Sequence, residues 1–251
     1  MDVSSARLEN AIAIAHGMAR LIKNARPPKH APDRPRYLLY LTMAESYEAA
    51  LILIRSAMPS HAASHVRSMV EALVTMTMLA NDATYVNQMV YDKLHGEKKF
   101  YTELLENVEL DDAARAYLKG RLDECIPEYQ RLHDLGFRKT VISKLFSETK
   151  LTHLSAPYGV LCGFSHNDLA VLAVRHQGET ATTYKKPIAP EIVHSILSVA
   201  VQVIMQATHE AAPLALYPEG LLEPVFKSMN DCWGDFMAEG IDSTSPGSEL
   251  A

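Results

Sequence analysis

Residues 33–80 read DRPRYLLYLTMAESYEAALILIRSAMPSHAASHVRSMVEALVTMTMLA, and this stretch decides the fold class. Apolar residues return every three or four positions, the period of a helix with one buried face and not the alternation of a strand. Asp33 can cap a first helix with Pro35 in its first turn, and the pattern runs on to about Met58. Pro59-Ser60 stops and restarts the chain, and a second helix is expected from about His61 to Ala80. So short a connection folds two long apolar helices into an antiparallel hairpin.

The same period extends outward in both directions. Upstream, a helix is expected over about Ser5 to Asn24, ended by the proline-rich run 26–35, where proline removes backbone donors and restrains the residue before it. Downstream, Asp82 can cap a helix to about Asn107, and another spans about Asp111 to Asp134 with a kink at Pro127. Thr140 to Thr149 reads as a short amphipathic helix. Leu151 to Val174 is helical in pattern but interrupted at Pro157 and at Ser165-His166-Asn167. The run QGETATTYKKPIAP at 177–190 is a loop with room for a small hairpin. Pro190 opens a long core helix to about Ala212, and a last helix covers about Glu219 to Glu239. The expectation is an all-α fold, one bundle of seven or eight helices over residues 1–239, followed by a disordered tail at 240–251.

Composition narrows the function classes. Of 251 residues only 11 are Gly, which disfavours turn-rich all-β architectures. A net charge of −6 argues against a broad basic surface for duplex DNA while leaving room for a local basic patch. Cys125, Cys162 and Cys232 form no C-x-x-C pair, so they are expected as reduced thiols in a cytoplasmic protein. The first residues, MDVSS, lack a basic segment leading into an apolar block, so no secretory signal is read there. Ile192 to Thr208 lacks Asp, Glu, Lys and Arg, yet falls short of the about 20 apolar residues a bilayer needs. It is expected as a buried helix, with no membrane association. No glycine-rich phosphate loop and no H-E-x-x-H occurs, and Gly163-Phe164-Ser165-His166-Asn167 lacks the second glycine and the preceding strand of a nucleophile elbow. No cofactor is expected.

Two polar clusters interrupt the apolar helices. Arg67 and Glu71 stand four apart on one helix face, flanked by Val66, Met69, Val70 and Leu73, so both charges lie at the margin of a buried stripe and need partners. Tyr158, Ser165, His166, Asn167 and Asp168 interrupt a later apolar helix. A histidine titrates near neutral pH, so His166 placed beside Arg67 or Glu71 could act as a general acid or base. The alternative is that Arg67, Glu71, Tyr158 and His166 form a hydrogen-bonded network that fixes how helices meet.

The run from Arg67-Ser68 through Glu71-Ala72, with the later Tyr158 and Ser165-His166, resembles the R-S-x-x-E-A helix and Tyr/Ser-His motif of an uncharacterised bacterial family of unknown function, over about Tyr37 to Val174 plus the core helix that follows. The layout is similar, more distantly, to HEPN domains, all-helical modules of bacterial defence and toxin systems, many of them dimeric metal-independent ribonucleases. That resemblance implies a homodimer, RNA as a partner, Arg67, Glu71, Tyr158 and His166 as the catalytic group, and Asn167 and Asp168 on the substrate. The arginine that HEPN nucleases carry shortly before the histidine is not found here, where Gly159, Val160 and Leu161 stand.

Two other readings stay open. In one, the same residues are structural and the bundle binds a partner or ligand without catalysis. In the other, Glu191-x-x-His194 joins Glu45, Glu48, His61 and His65 in a metal-dependent bundle enzyme, which requires at least three of them to converge.

Overall fold

The computed structural model describes residues 5–106, 109–166, 168–178 and 181–242. Among them it is all α, with nine helices: α1 (Ser5–Asn24), α2 (Asp33–Arg55), α3 (Pro59–Asn81), α4 (Tyr85–Leu105), α5 (Asp112–Asp134), α6 (Ser155–His166), α7 (Leu169–His176), α8 (Pro190–Ala211) and α9 (Leu222–Asp242). The count exceeds the expected seven or eight because the stretch read as one interrupted helix over 151–174 separates into α6 and α7. Pro157 does not break α6, since it lies in the first turn, where a missing N–H costs no helical bond. The amphipathic helix expected at Thr140–Thr149 is reduced to a single 3-10 turn, Ile142–Lys144. In the 177–190 loop the expected hairpin shrinks to one bridge between Gln177 and Thr182.

The hairpin at the centre is α2 against α3, and its turn falls earlier than the sequence reading placed it. α2 stops at Arg55, and Pro59 is the first residue of α3 rather than a stop signal. The turn is a Schellman motif: the Met58 amide donates to the Leu53 carbonyl at 2.8 Å and the Ala57 amide to Ile54 at 3.0 Å. It holds Ala57 in the left-handed region at φ 56°, where glycine is the usual occupant. Two expected caps also differ. Asp33 is the first helical residue of α2 and accepts from the Arg36 guanidinium instead of a backbone amide. Asp82 ends α3, and its carboxylate accepts from the Thr84 amide and hydroxyl just ahead of α4. Asp111 caps α5 as expected, accepting from the Ala114 amide at 2.7 Å.

α8 packs on both members of the hairpin, α1 lies between α2 and α9 and packs on each, and α6 lies along α3. The core is built from Met43, Tyr47, Met69, Leu73, Met76, Leu197, Val201, Met205 and their neighbours, all excluded from solvent. Two of its buried polar side chains are satisfied by backbone: Tyr47 donates to the Ala11 carbonyl at 2.9 Å and Thr208 to the Ile204 carbonyl at 2.7 Å. α2 and the segment Pro190–Leu214 are each long and apolar enough to cross a membrane by length and composition. Here their apolar faces pack against one another and against α3. Trp233 and Phe226 of α9 pack half-buried on this core, around the buried Met229 and Phe236.

The α4–α5 hairpin carries a smaller cluster of its own, in which Tyr91 stacks on Tyr129 with ring centroids 5.3 Å apart. Asp92 accepts from the Thr140 amide at 2.9 Å and fixes the chain beyond α5 against α4. The expected tail begins later than Gly240, since α9 continues to Asp242; its remainder, residues 243–251, lies outside the described residues.

Candidate functional site

Arg67 and Glu71 sit on α3 where α6 crosses it, because the small and apolar residues around them are drawn into the core and leave their face at its edge. Arg67 Nη2 lies 2.9 Å from Glu71 Oε1, and the Tyr158 hydroxyl of α6 donates to the same Oε1 at 2.8 Å. The guanidinium carbon stands 5.8 Å from the centroid of the Tyr158 ring, and the Phe146 ring meets that ring edge-on at 5.4 Å. The side chains of Arg67 and Glu71 keep 26% and 32% of their exposure, so the cluster stands at the rim of the core.

A second contact fixes the direction of the packing. Ser165 Oγ lies 3.4 Å from Ser64 Oγ while bonding back to the Leu161 carbonyl at 3.1 Å. Ser64 precedes Glu71 by seven residues, and Ser165 follows Tyr158 by seven. The two helices therefore run antiparallel with two successive contacts two turns apart. Cys162 falls between these contacts, beside both Arg67 and Tyr158. Neither Ser64 nor Cys162 stood out in the sequence, although their seven- and four-residue spacing from the selected residues was there to read.

The other selected residues lie elsewhere. His166 follows Tyr158 by eight residues, which is about 12 Å along a helix axis, and one step past Ser165 turns it about 100° off the shared face. It is exposed at the end of α6, and the bonds that close the Arg67–Glu71–Tyr158 cluster do not include it. Asp168 is the N-cap of α7, its Oδ1 accepting from the Val171 amide at 2.9 Å. Asn167 lies outside the described residues. The structure thus brings together three of the six residues.

The electrostatics follow from this geometry. Burial, and then the Glu71 carboxylate that takes its hydrogen bond, push the Tyr158 phenol well above its ordinary range. Tyr158 is therefore a neutral donor at physiological pH and a weaker acid than a free phenol. The residues considered for a metal do not converge. Glu45, Glu48, His61 and Glu191 are exposed, and no group of three or more His, Cys, Asp or Glu side chains that could hold a metal ion occurs among the described residues.

The model of a family of unknown function, DUF5677, matches residues 35–182, more than half of the chain. The chain belongs to DUF5677. The DUF5677 match starts in the first turn of α2 and ends in the loop after α7, so it contains both helices of the Arg67–Glu71–Tyr158 cluster. It leaves out α1 and α9 and also α8, the core helix that the resemblance was expected to include; these three close the core around it. No curated protein and no solved structure matches this DUF5677 chain significantly.

Proposed function

We propose that this DUF5677 chain is a non-catalytic, self-associating helical module, in which Arg67, Glu71 and Tyr158 fix the seat of α6 on α3. One feature supports self-association above the others: α6 and α7 carry exposed apolar side chains and, with α8, an apolar groove. Leu169 at the start of α7 is 83% exposed, and Val160 of α6 is 62% exposed. Beside them α6, α7 and α8 enclose a groove of about 620 Å³ floored by Leu161, Phe164, Val171 and Ile196. A two-fold interface uses one patch of surface twice, and clustered exposed apolar side chains are the usual material of such contacts. The occupant of the groove is the same face of a second copy, in a cytoplasmic homodimer.

Sedimentation velocity on the full chain tests this reading. A dimer is expected for the natural sequence and a folded monomer for Leu169→Glu, since an acidic residue in the first turn of α7 suits the helix dipole. A natural chain that stays monomeric at about 100 μM, or a dimer unchanged by Leu169→Glu, overturns it.

A second reading, HEPN-like and metal-independent RNA cleavage, keeps Arg67, Glu71, Tyr158 and His166 as the catalytic group with Asn167 and Asp168 on the RNA. It draws support from the partial exposure of Arg67 and Glu71 and the exposure of His166. In that reading a second copy carries its histidine to the pair across a dimer groove, and the base, acid and cation act on the RNA's own 2′-hydroxyl.

A further inference from the structure

We propose that the concavity where the α1–α2 connection meets the first two turns of α2 binds a small organic anion, an acidic head on an apolar body. The stretch RLIKNARPPKHAPDRPR at 20–36 carries six Arg and Lys residues against a single Asp. In a chain of net charge −6 this is a local reversal of sign. The one acid, Asp33, is committed to Arg36, whose guanidinium donates to its carboxylate at 3.1 Å. Arg26, Lys29 and Arg34 stand exposed, and none of the three has an ion-pair partner among the described residues.

These three cations line one concavity of about 540 Å³, within the roughly 300–1,000 Å³ of sites that take organic ligands. Arg34, Tyr37, Leu38 and Leu41 line it from α2, at the i, i+3, i+4, i+7 spacing of a single helix face. No acidic residue lines it, and apart from the cations its lining is apolar or aromatic. Leu38 keeps 52% of its exposure, so apolar surface is open to a ligand there. The connection itself is held in place. The Arg26 amide donates to the Leu216 carbonyl at 2.8 Å, and the Leu216 amide returns a bond to the Arg26 carbonyl at 3.1 Å. Pro27 and Pro28 fix their own φ and restrict the residue before each. The Arg34 amide donates to the His30 carbonyl at 2.8 Å, closing the connection onto α2. The cations are thus carried on a backbone with little freedom left to lose on binding. An acidic head answers them through charge-assisted hydrogen bonds, and an apolar body takes the exposed side of Leu38 out of water.

None of the lining residues belongs to α6, α7 or α8, so the site does not depend on self-association. Its test is isothermal titration calorimetry of the full chain with 2-naphthoate, with 2-naphthyl phosphate and with the uncharged 2-naphthamide, at constant ionic strength. Saturable binding of the anions is expected, with the amide about tenfold weaker. Arg26→Gln and Arg34→Gln each change an exposed side chain. Each is expected to weaken binding several-fold with an unchanged melting temperature, and the two together by about tenfold. Tighter binding of the phosphate supports a phosphorylated ligand, and tighter binding of the naphthoate supports a carboxylate. Absence of saturation up to about 10 mM, an amide that binds as well as the anions, or an affinity unchanged in the double variant overturns the site. The last of these would place the ring on another apolar surface, such as the α6–α8 groove.

Discussion

Tyr158 and Glu71 stand 87 residues apart in sequence and share a hydrogen bond of 2.8 Å, the contact that locks α6 onto α3. Because Arg67 reaches the same carboxylate oxygen, the phenol meets an anion that is already paired. The bond therefore adds orientation more than charge neutralisation. Tyr158→Phe is expected to lower unfolding stability by about 1 kcal/mol, the usual net value of a part-exposed hydrogen bond. Urea denaturation should show a lower midpoint with an unchanged slope. Combined with Glu71→Gln, the loss should be less than the sum of the single losses; full additivity would show that the two side chains do not act together.

Ala57 occupies a left-handed position at φ 56° in the turn between α2 and α3. Its methyl group is strained there, while glycine would not be. Ala57→Gly is expected to stabilise the chain by about 0.5–1 kcal/mol, part of the gain being offset by the looser unfolded chain. A lower denaturation midpoint would contradict the assigned turn.

Gly163 leaves room for the cap of the next helix. A Cβ at that position would stand 2.6 Å from Asp168 Oδ2, and that carboxylate caps α7 through the Val171 amide. Gly163→Ala and Asp168→Ala are each expected to cost about 1 kcal/mol. The double variant should cost little more than either one, because both remove the same cap. Additive losses in thermal denaturation would count against this coupling.

His194 gives the fold a pH dependence. Burial, and then the nearby Arg7, lower its affinity for a proton below that of an ordinary histidine, against a smaller opposing effect of Glu191. Its Nε2 is buried without a hydrogen-bond partner. The unfolded chain takes up a proton near pH 6.5 while the folded chain still refuses it, so stability should fall as pH drops from about 7.5 through 6.5 and below. His61 shifts in the same direction, so only part of the slope belongs to His194. His194→Gln should flatten the dependence between about pH 7 and 5.5; an identical slope would exclude this role.

The helices were legible from the sequence because helical period and apolar burial agree over long runs, as in α3, where Val66, Met69, Val70 and Leu73 are all excluded from solvent. Boundaries were less legible. The α2–α3 turn is set by a left-handed alanine, and alanine carries no turn signal of the kind glycine does. Pairing Arg67 and Glu71 with Tyr158 was within reach, since charges at the margin of an apolar stripe need partners. The position of His166 was not, because the angle at which α6 lies on α3 decides which of two adjacent residues faces inward. Ser165 does, and His166 does not.

The most direct test of a structural role for the Arg67–Glu71–Tyr158 cluster is total-RNA integrity after induction of the natural chain, Glu71→Gln and His166→Ala in parallel. The expected result is intact RNA in all three, with the variants differing in stability and not in activity. RNA cut by the natural chain and spared by a folded His166→Ala would contradict it, and would place that histidine in a catalytic site.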